Sequence, residues 1–371
     1  MLRPYTSPLI LSLCLALGLA GSVSAQLSFV EDFTSTSYRD TLTTTADWNS
    51  VDGELKLFPF APTVLAAHDS IGFVFDVQIC GDLLYAAASG SGQALSVIDI
   101  SDPASPLLVG GAGNQGNNNL VVSGNRAYTT GGSSGLVVYD ISDPTLPVAL
   151  GSTPLTTSIG GLDAVGDIVY VADGYAGLNM YDVSNPALPT LVGTYGPGTL
   201  SYGVKVVNHL AYFSAGSLGL VILDVTDPAA PVVLGIHDPT GNVVDVALDG
   251  HLAYVLRGSI GVDVLDVSNP AAPILVSTFG TLGFSENIRV AGDRAYVGHT
   301  FNGVTVFDIS NPSLVVQITD GLAGITVHDV DLAGGLAVAA CRTDGIRIFG
   351  IADPVAPEPV ATVDLGGSCY G

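Results

Sequence analysis

Short apolar runs broken by single polar residues cover most of this chain, and nearly every run ends at Gly, Pro, Asn or Asp. The stretch from Gly203 shows the pattern. GVKVV alternates, Asn208-His209 turns, LAYFS follows, and a Gly-rich turn ends at Gly219. LVILDV comes next, and TDPAAP turns into VVLGI. Alternation in short runs rich in Val, Leu and Ile predicts antiparallel strands. No stretch has the length and period of a helix.

The four-strand unit repeats. DISDP begins at Asp99 and Asp140, DVSNP at Asp182 and Asp266, DVTDP at Asp224 and DISNP at Asp308. The first step is 41 residues and the later ones are 42. A degraded seventh copy, GIADP, has Gly350 in place of the Asp. Units of this kind stack as propeller blades, and seven lies within the usual blade number. The pattern therefore predicts an all-β, seven-bladed β-propeller of four-stranded antiparallel blades over residues 62–371. An open solenoid is the structural rival.

Several recurrent positions have structural readings. Gly135, Gly177, Gly219, Gly261, Gly303 and Gly345 precede the third strand, where a tight turn calls for positive φ. Tyr85, Tyr128, Tyr170, Tyr212, Tyr254 and Tyr296 share one place on the second strand, with Val338 in blade seven. A half-buried aromatic there is expected to pack between blades. The pentapeptide Asp is expected to accept backbone N–H groups in an Asx turn.

These units resemble the LVIVD repeat family of bacterial and archaeal exported and surface proteins. GLVVYDISDPTLP, GLNMYDVSNPALP, GLVILDVTDPAAP and GVDVLDVSNPAAP carry the likeness, which spans roughly residues 62–364. The resemblance implies a β-propeller outside the cytoplasm. It implies no particular activity, so no catalytic residue is carried over. Val338 and Gly350 depart from the repeat, which loosens the register of blade seven. The single Trp, Trp48, lies outside the repeats and argues against WD40, kelch and quinoprotein propellers.

The N-terminus adds a location. Arg3, the apolar run Leu9–Ala20 and the small residues Val23-Ser24-Ala25 read as a signal peptide over residues 1–25. Residues 26–61, rich in Thr, Ser and Asp, read as an appendage packed on the propeller edge without a core of its own. The mature protein is expected to be exported to the periplasm, the cell surface or the medium, with no membrane insertion. Formal net charge is −24 although charged residues are only 12% of the chain. That acidity disfavours nucleic acid and leaves an extracellular protein, a glycan or a small ligand as partner. Beyond the signal lie Cys80, Cys341 and Cys369, so at most one disulfide can form within the mature chain.

The chain contains no HExxH, CxxC, GxSxG or phosphate-binding Gly loop. This favours a binding or scaffold module. The alternative is a polysaccharide lyase or hydrolase at the channel mouth using Asp329, His328 and Arg342. His68-Asp69 and His237-Asp238 occupy matching outer-strand positions and read as surface loop residues.

Aligning the first strands gives two rows on the same strand face. The first is Asp76, Asn119, Gly161, Gly203, Asp245, Asn287 and Asp329. The second is Gln78, Val121, Asp163, Lys205, Ala247, Arg289 and Asp331. In the second row, Asp163–Lys205 and Arg289–Asp331 are expected to pair across neighbouring blades. In the first, ring closure makes Asp245, Asn287, Asp329, Asp76 and Asn119 one arc of oxygen donors. The readings are a hydrated polar channel or a bound hard cation such as Ca²⁺.

Two segments compete for the outer edge of blade seven, Pro62–Asp69 and Pro357–Asp364. The expectation is that Thr63–Ala67 pairs there and joins the two chain ends, with Pro357–Asp364 packed outside or beside it.

Overall fold

In the computed structural model, residues 72–90, 93–113, 118–131, 135–156, 160–319, 326–351 and 358–363 of the propeller are described. So are strands at 10–15, 23–28, 37–39, 46–49 and 54–57. The chain divides into two compact units, Met1–Ala61 and Pro62–Gly371. In the first, Ile10–Leu15 pairs with Val23–Ser28. Ser37–Arg39, Ala46–Asn49 and Glu54–Leu57 form a three-stranded antiparallel sheet.

The second unit is a seven-bladed β-propeller. Each blade is a four-stranded antiparallel sheet whose strands are paired in chain order. The first strands are Gly72–Cys80, Asn119–Ser123, Leu162–Val165, Gly203–Val207, Asp245–Asp249, Ser285–Ala291 and Asp329–Ala333. They stand side by side around a central channel. Among the described residues, helical structure is confined to the single 3₁₀ turn Gly174–Ala176.

The core is divided into seven clusters, one at each blade junction. Tyr85 packs with Leu120 and Tyr139 of blade two, and Tyr128 with Leu162 and Val169 of blade three. The series continues through Tyr170, Tyr212, Tyr254 and Tyr296, as the shared position anticipated. At the closing junction Val338 stands in the Tyr place, against Val77, Leu84 and Ile98 of blade one. Each fully buried Leu or Val there contributes about 1.5–3 kcal/mol over leaving it exposed.

The turns follow the repeat. Asp99, Asp140, Asp182, Asp224, Asp266 and Asp308 each accept the N–H two residues on, at 2.8–2.9 Å. The glycines before the third strand all have positive φ, from +70° at Gly303 to +136° at Gly261. A Cβ at Gly219 would lie 2.1 Å from the His237 carbonyl, so space as well as φ requires glycine.

Closure of blade seven differs from the expectation. The strand beside Ile346–Gly350 is Glu358–Val363, and the chain closes its last blade with its own C-terminal segment. Thr63–Ala67 lies outside the described residues, and the place assigned to it is taken. The cause lies in the register. The third and fourth strands shift at a bulge in blades one to five and again in seven. In blade seven that bulge falls between Ile348 and Phe349, with Pro359 opposite Phe349. A proline without an N–H is tolerated at such a bulge. A hairpin from the adjacent strand also closes a far shorter loop than a pairing of the two chain ends.

Buried polar groups fill some blades where others carry hydrocarbon. His299 is fully buried, between Ser285 Oγ and Thr305 Oγ1, each at 2.8 Å. Burial pulls its pKa down to about 4. The unfolded chain, with an ordinary value near 6.5, binds the extra proton between those limits. Stability from this residue is therefore complete above pH 6.5 and is lost as the pH falls toward 4, by about 3 kcal/mol. Urea unfolding at several pH values should show that slope, and His299→Gln should flatten it. An unchanged slope in the variant would remove His299 as its source.

Candidate functional site at the channel mouth

A cavity of about 410 Å³ opens where the first strands begin. The first row lines it completely: Asp76, Asn119, Gly161, Gly203, Asp245, Asn287 and Asp329. The structure therefore brings all five expected donors to one wall.

The three carboxylates, however, already accept backbone N–H groups. Asp76 Oδ2 accepts Leu120 N–H from blade two at 2.7 Å. Asp245 Oδ2 accepts Ile288 N–H from blade six at 2.9 Å. Asp329 Oδ2 accepts Val77 N–H from blade one at 3.3 Å. The second row does the same. Gln78 Oε1 takes Val122 N–H, Asp163 Oδ2 takes Val206 N–H, and Asp331 Oδ2 takes Ile79 N–H at 2.6 Å. These side chains latch one blade to the next through backbone groups that the barrel of first strands leaves unpaired. Asn119 turns into its own blade, toward Thr130 Oγ1.

Arg289 stands among these carboxylates. Its guanidinium donates to Asp329 Oδ1 at 2.9 Å and Asp245 Oδ2 at 3.3 Å. The Asn287 amide donates to Asp329 Oδ1 as well. Among the described residues no group of three or more Asp, Glu, His or Cys is arranged to hold a metal ion. The expected Arg289–Asp331 and Asp163–Lys205 pairs do not form. Arg289 reaches up to the first row, and both carboxylates are committed to backbone N–H groups.

The electrostatics follow from burial around one cation. Burial, then the charge of Asp329 and a hydrogen bond to it, push Asp76 well above the usual carboxyl range. Burial also raises Asp245 and Asp331, although Arg289 pulls both back. Burial opposes the charge on Arg289, but Asp329, Asp245, Asp331 and Asp76 outweigh it and push its pKa up.

A third row lies one residue earlier, at the rim. There Phe75, Glu286 and His328 meet. His328 Nδ1 lies 2.5 Å from Glu286 Oε2, and its ring stands edge-on to Phe75 with centroids 5.6 Å apart. The Arg342 guanidinium sits 5.8 Å from the Phe75 centroid. Thr300 Oγ1 donates to Glu286 Oε1 at 3.0 Å. Burial raises Glu286, but the His328 hydrogen bond and charge, Thr300 and Arg342 more than offset it and hold the carboxyl low. His328 Nε2 is buried without a hydrogen-bond partner, as is Asn287 Oδ1.

Sequence reasoning found His328 and Arg342 but missed Glu286 and Phe75. Alternation puts these two on the face opposite the first row. The first strands bulge there, between Val74 and Asp76 and between Ser285 and Asn287, and a bulge re-aims its extra residue. Phe75, Glu286 and His328 do share one step of the repeat, a signal present in the alignment.

One other expectation changes. His237 is not a loop residue. It ends the fourth strand of blade four and bonds Asp263 Oδ2 at 2.8 Å. Cys80 and Cys341 are free thiols, and burial pushes Cys341 to about 12. Cys369 lies outside the described residues. No helix among the described residues is long and apolar enough to cross a membrane.

Fold and mouth together define a repeat propeller with a polar, aromatic-rimmed channel mouth. The chain belongs to the LVIVD repeat family, whose repeat matches residues 71–112, 116–153, 160–196, 201–238, 240–281 and 282–318. Solved structures of similar shape are propellers of low identity. One is the β-propeller domain of Myceliophthora thermophila Cps50 (Swd1), with 12% identity and a TM-score of 0.63, covering 78% of this chain and 99% of that one. Another is the WD40 β-propeller domain of Doa1, with 14% identity and a TM-score of 0.60, covering 80% and 99%. A third is the computationally designed Ika8 protein, with 13% identity and a TM-score of 0.61, covering 82% and 90%. These likenesses show the fold alone. No curated protein matches the chain.

Proposed function

We propose that this protein is an exported binding module that holds its ligand in the mouth of the propeller channel. One observation carries the reading. Phe75, Glu286 and His328, from a row that differs in every blade, collect with Arg342 at the rim of one 410 Å³ cavity. That volume falls within the range of small-ligand sites. Core positions keep the repeat because packing demands it, whereas these residues serve no junction core.

The test is to plug the mouth. A Cβ at Gly203 would meet its nearest atoms, Asp245 Oδ1 and Val244 O, at 3.5 Å, an ordinary contact. Gly203→Trp should therefore fold and fill the cavity. In a thermal-shift screen of sugars and small acids, compounds that stabilise the wild type should leave this variant unmoved. Equal stabilisation of both proteins would place binding elsewhere.

The enzymatic reading keeps one supporting observation. Glu286 holds His328 through Nδ1, as a carboxylate holds a general base, and leaves Nε2 without a hydrogen-bond partner. Asp329 does not join it, because Val77, Asn287 and Arg289 occupy its oxygens. Turnover of a bound sugar that disappears in His328→Gln, with binding kept, would favour this reading.

A further inference from the structure

The rim also carries a chemical preference, and the inference rests on the mouth being the binding site. Arg342 has φ +48°, a left-handed conformation that costs a residue with a Cβ. At the same step of the repeat blades three, four and five carry Gly174, Gly216 and Gly258, with φ +52°, +54° and +54°. One backbone task is common to all four. Each carbonyl accepts an N–H from the blade that follows: Ser201, Val243, Ser285 and, for Arg342, Val74. Glycine suffices for that job, so the guanidinium is there for another reason.

The charge distribution points to that reason. The chain has only ten Lys and Arg residues, and Lys205, Arg289 and Arg342 all line this one cavity. Arg289 is held by Asp245 and Asp329. Neither the Lys205 ammonium nor the Arg342 guanidinium has a hydrogen-bonded or ion-paired partner among the described residues. Arg342 rests over the Phe75 face, which leaves the edge of its planar fork open. Two buried side-chain atoms without partners, His328 Nε2 and Asn287 Oδ1, belong to residues of the same lining. The cavity thus offers cationic donors without hydrogen-bonded or ion-paired partners inside a polar lining.

We propose that the mouth binds a hydroxylated carboxylate of the uronic-acid type. Its carboxylate pairs with Arg342, and its hydroxyls meet the polar side chains of the lining. Lys205, from blade four, adds attraction within a walled cleft where fields are focused. A single negative charge suits the site better than two. Asp76, Asp245, Glu286 and Asp329 line the same cavity and would repel a phosphate dianion more strongly.

Isothermal titration of the full mature chain with glucuronate, glucose and inorganic phosphate tests this. Glucuronate should bind, with glucose and phosphate each about tenfold weaker or more, as loss of a charge-assisted contact implies. Arg342→Gly should cost glucuronate about tenfold or more in affinity. Its melting temperature should stay level or rise, since glycine is what blades three to five use there. That pairing separates a ligand contact from a structural role. Absence of glucuronate binding overturns the proposal, and so does unchanged affinity in Arg342→Gly. Phosphate binding tighter than glucuronate overturns it too. Glucose binding as well as glucuronate, with both blocked by Gly203→Trp, would remove the carboxylate preference and leave the mouth as the site. Glucuronate binding undiminished in Gly203→Trp would remove the mouth itself.

Discussion

Asp263→Ala should lower unfolding stability by about 3–5 kcal/mol, the usual cost of removing one partner from a buried ion pair. Asp263 lies on the third strand of blade five and is 3% exposed. Arg257 Nη2 reaches its Oδ1 at 3.0 Å, Thr278 Oγ1 the same oxygen at 2.8 Å, and His237 Nε2 its Oδ2 at 2.8 Å. Burial pushes the carboxyl up, but the His237 and Thr278 hydrogen bonds and the Arg257 charge outweigh it and hold it below the usual range. Alanine leaves the Arg257 guanidinium buried with only the Thr240 carbonyl, at 3.4 Å. The repeat supplies its own control. One blade earlier the same two positions are Ala215 and Val221, both fully buried. The double variant Arg257→Ala, Asp263→Val copies that hydrocarbon solution. It should recover to within about 1.5 kcal/mol of the wild type, because a buried pair exchanged for well-packed apolar groups is often neutral. Urea unfolding of the three proteins decides it. A double variant no more stable than Asp263→Ala would mean that blade five cannot accept the packing of blade four.

The contrast between these two blades also explains what the sequence discloses. Backbone-level features are written in six of the seven copies. The pentapeptide Asp, the Gly before the third strand and the Tyr of the second strand recur because the same turn and junction recur. Hence blade number, strand order and the junction cores were all legible. Individual side-chain partnerships are written once. Nothing in the repeat says that Arg289 turns toward Asp245 and Asp329 instead of Asp331, because a long side chain reaches either row. Nor does alternation survive a bulge, which is how Glu286 and Phe75 entered the rim. The closing strand was misjudged for a related reason. Pro359 has no N–H to give a ladder, yet it falls at the bulge that most blades share, where an N–H is dispensable. The aspartates of the first strands were read as ligands because their types and convergence are those of a cation site. Their backbone partners lie on the next blade, some 43 or 44 residues on, beyond any local pattern.

Arg289→Gln should be as damaging as Asp263→Ala, about 3–5 kcal/mol at pH 7, since it strips the only paired cation from a buried carboxylate cluster. Asp245 and Asp329 then face each other's charge with the Asn287 amide between them, and Asp76 stands beside Asp329. The sign of the pH response follows. Asp76 and Asp245 already bind protons more tightly folded than unfolded, and losing Arg289 removes a positive charge that lowers both. Groups with raised folded values favour the folded state as the pH falls through those values toward the unfolded ones. The deficit of Arg289→Gln should therefore shrink on acidification from neutrality toward pH 4, the reverse of the His299 slope. Calcium provides a second reading. In the wild type the guanidinium occupies the space between the carboxylates, so added Ca²⁺ should leave the melting temperature unchanged. In Arg289→Gln the same oxygens face an uncompensated gap, and a hard cation can replace the lost charge. Millimolar Ca²⁺ should then raise the variant's melting temperature by ordinary linkage. A wild type that responds to Ca²⁺ as strongly as the variant would show that Asp76, Asn119, Asp245, Asn287 and Asp329 hold an ion with Arg289 in place. A variant that responds to neither acid nor Ca²⁺ would mean that the carboxylates are held apart by their backbone N–H partners alone.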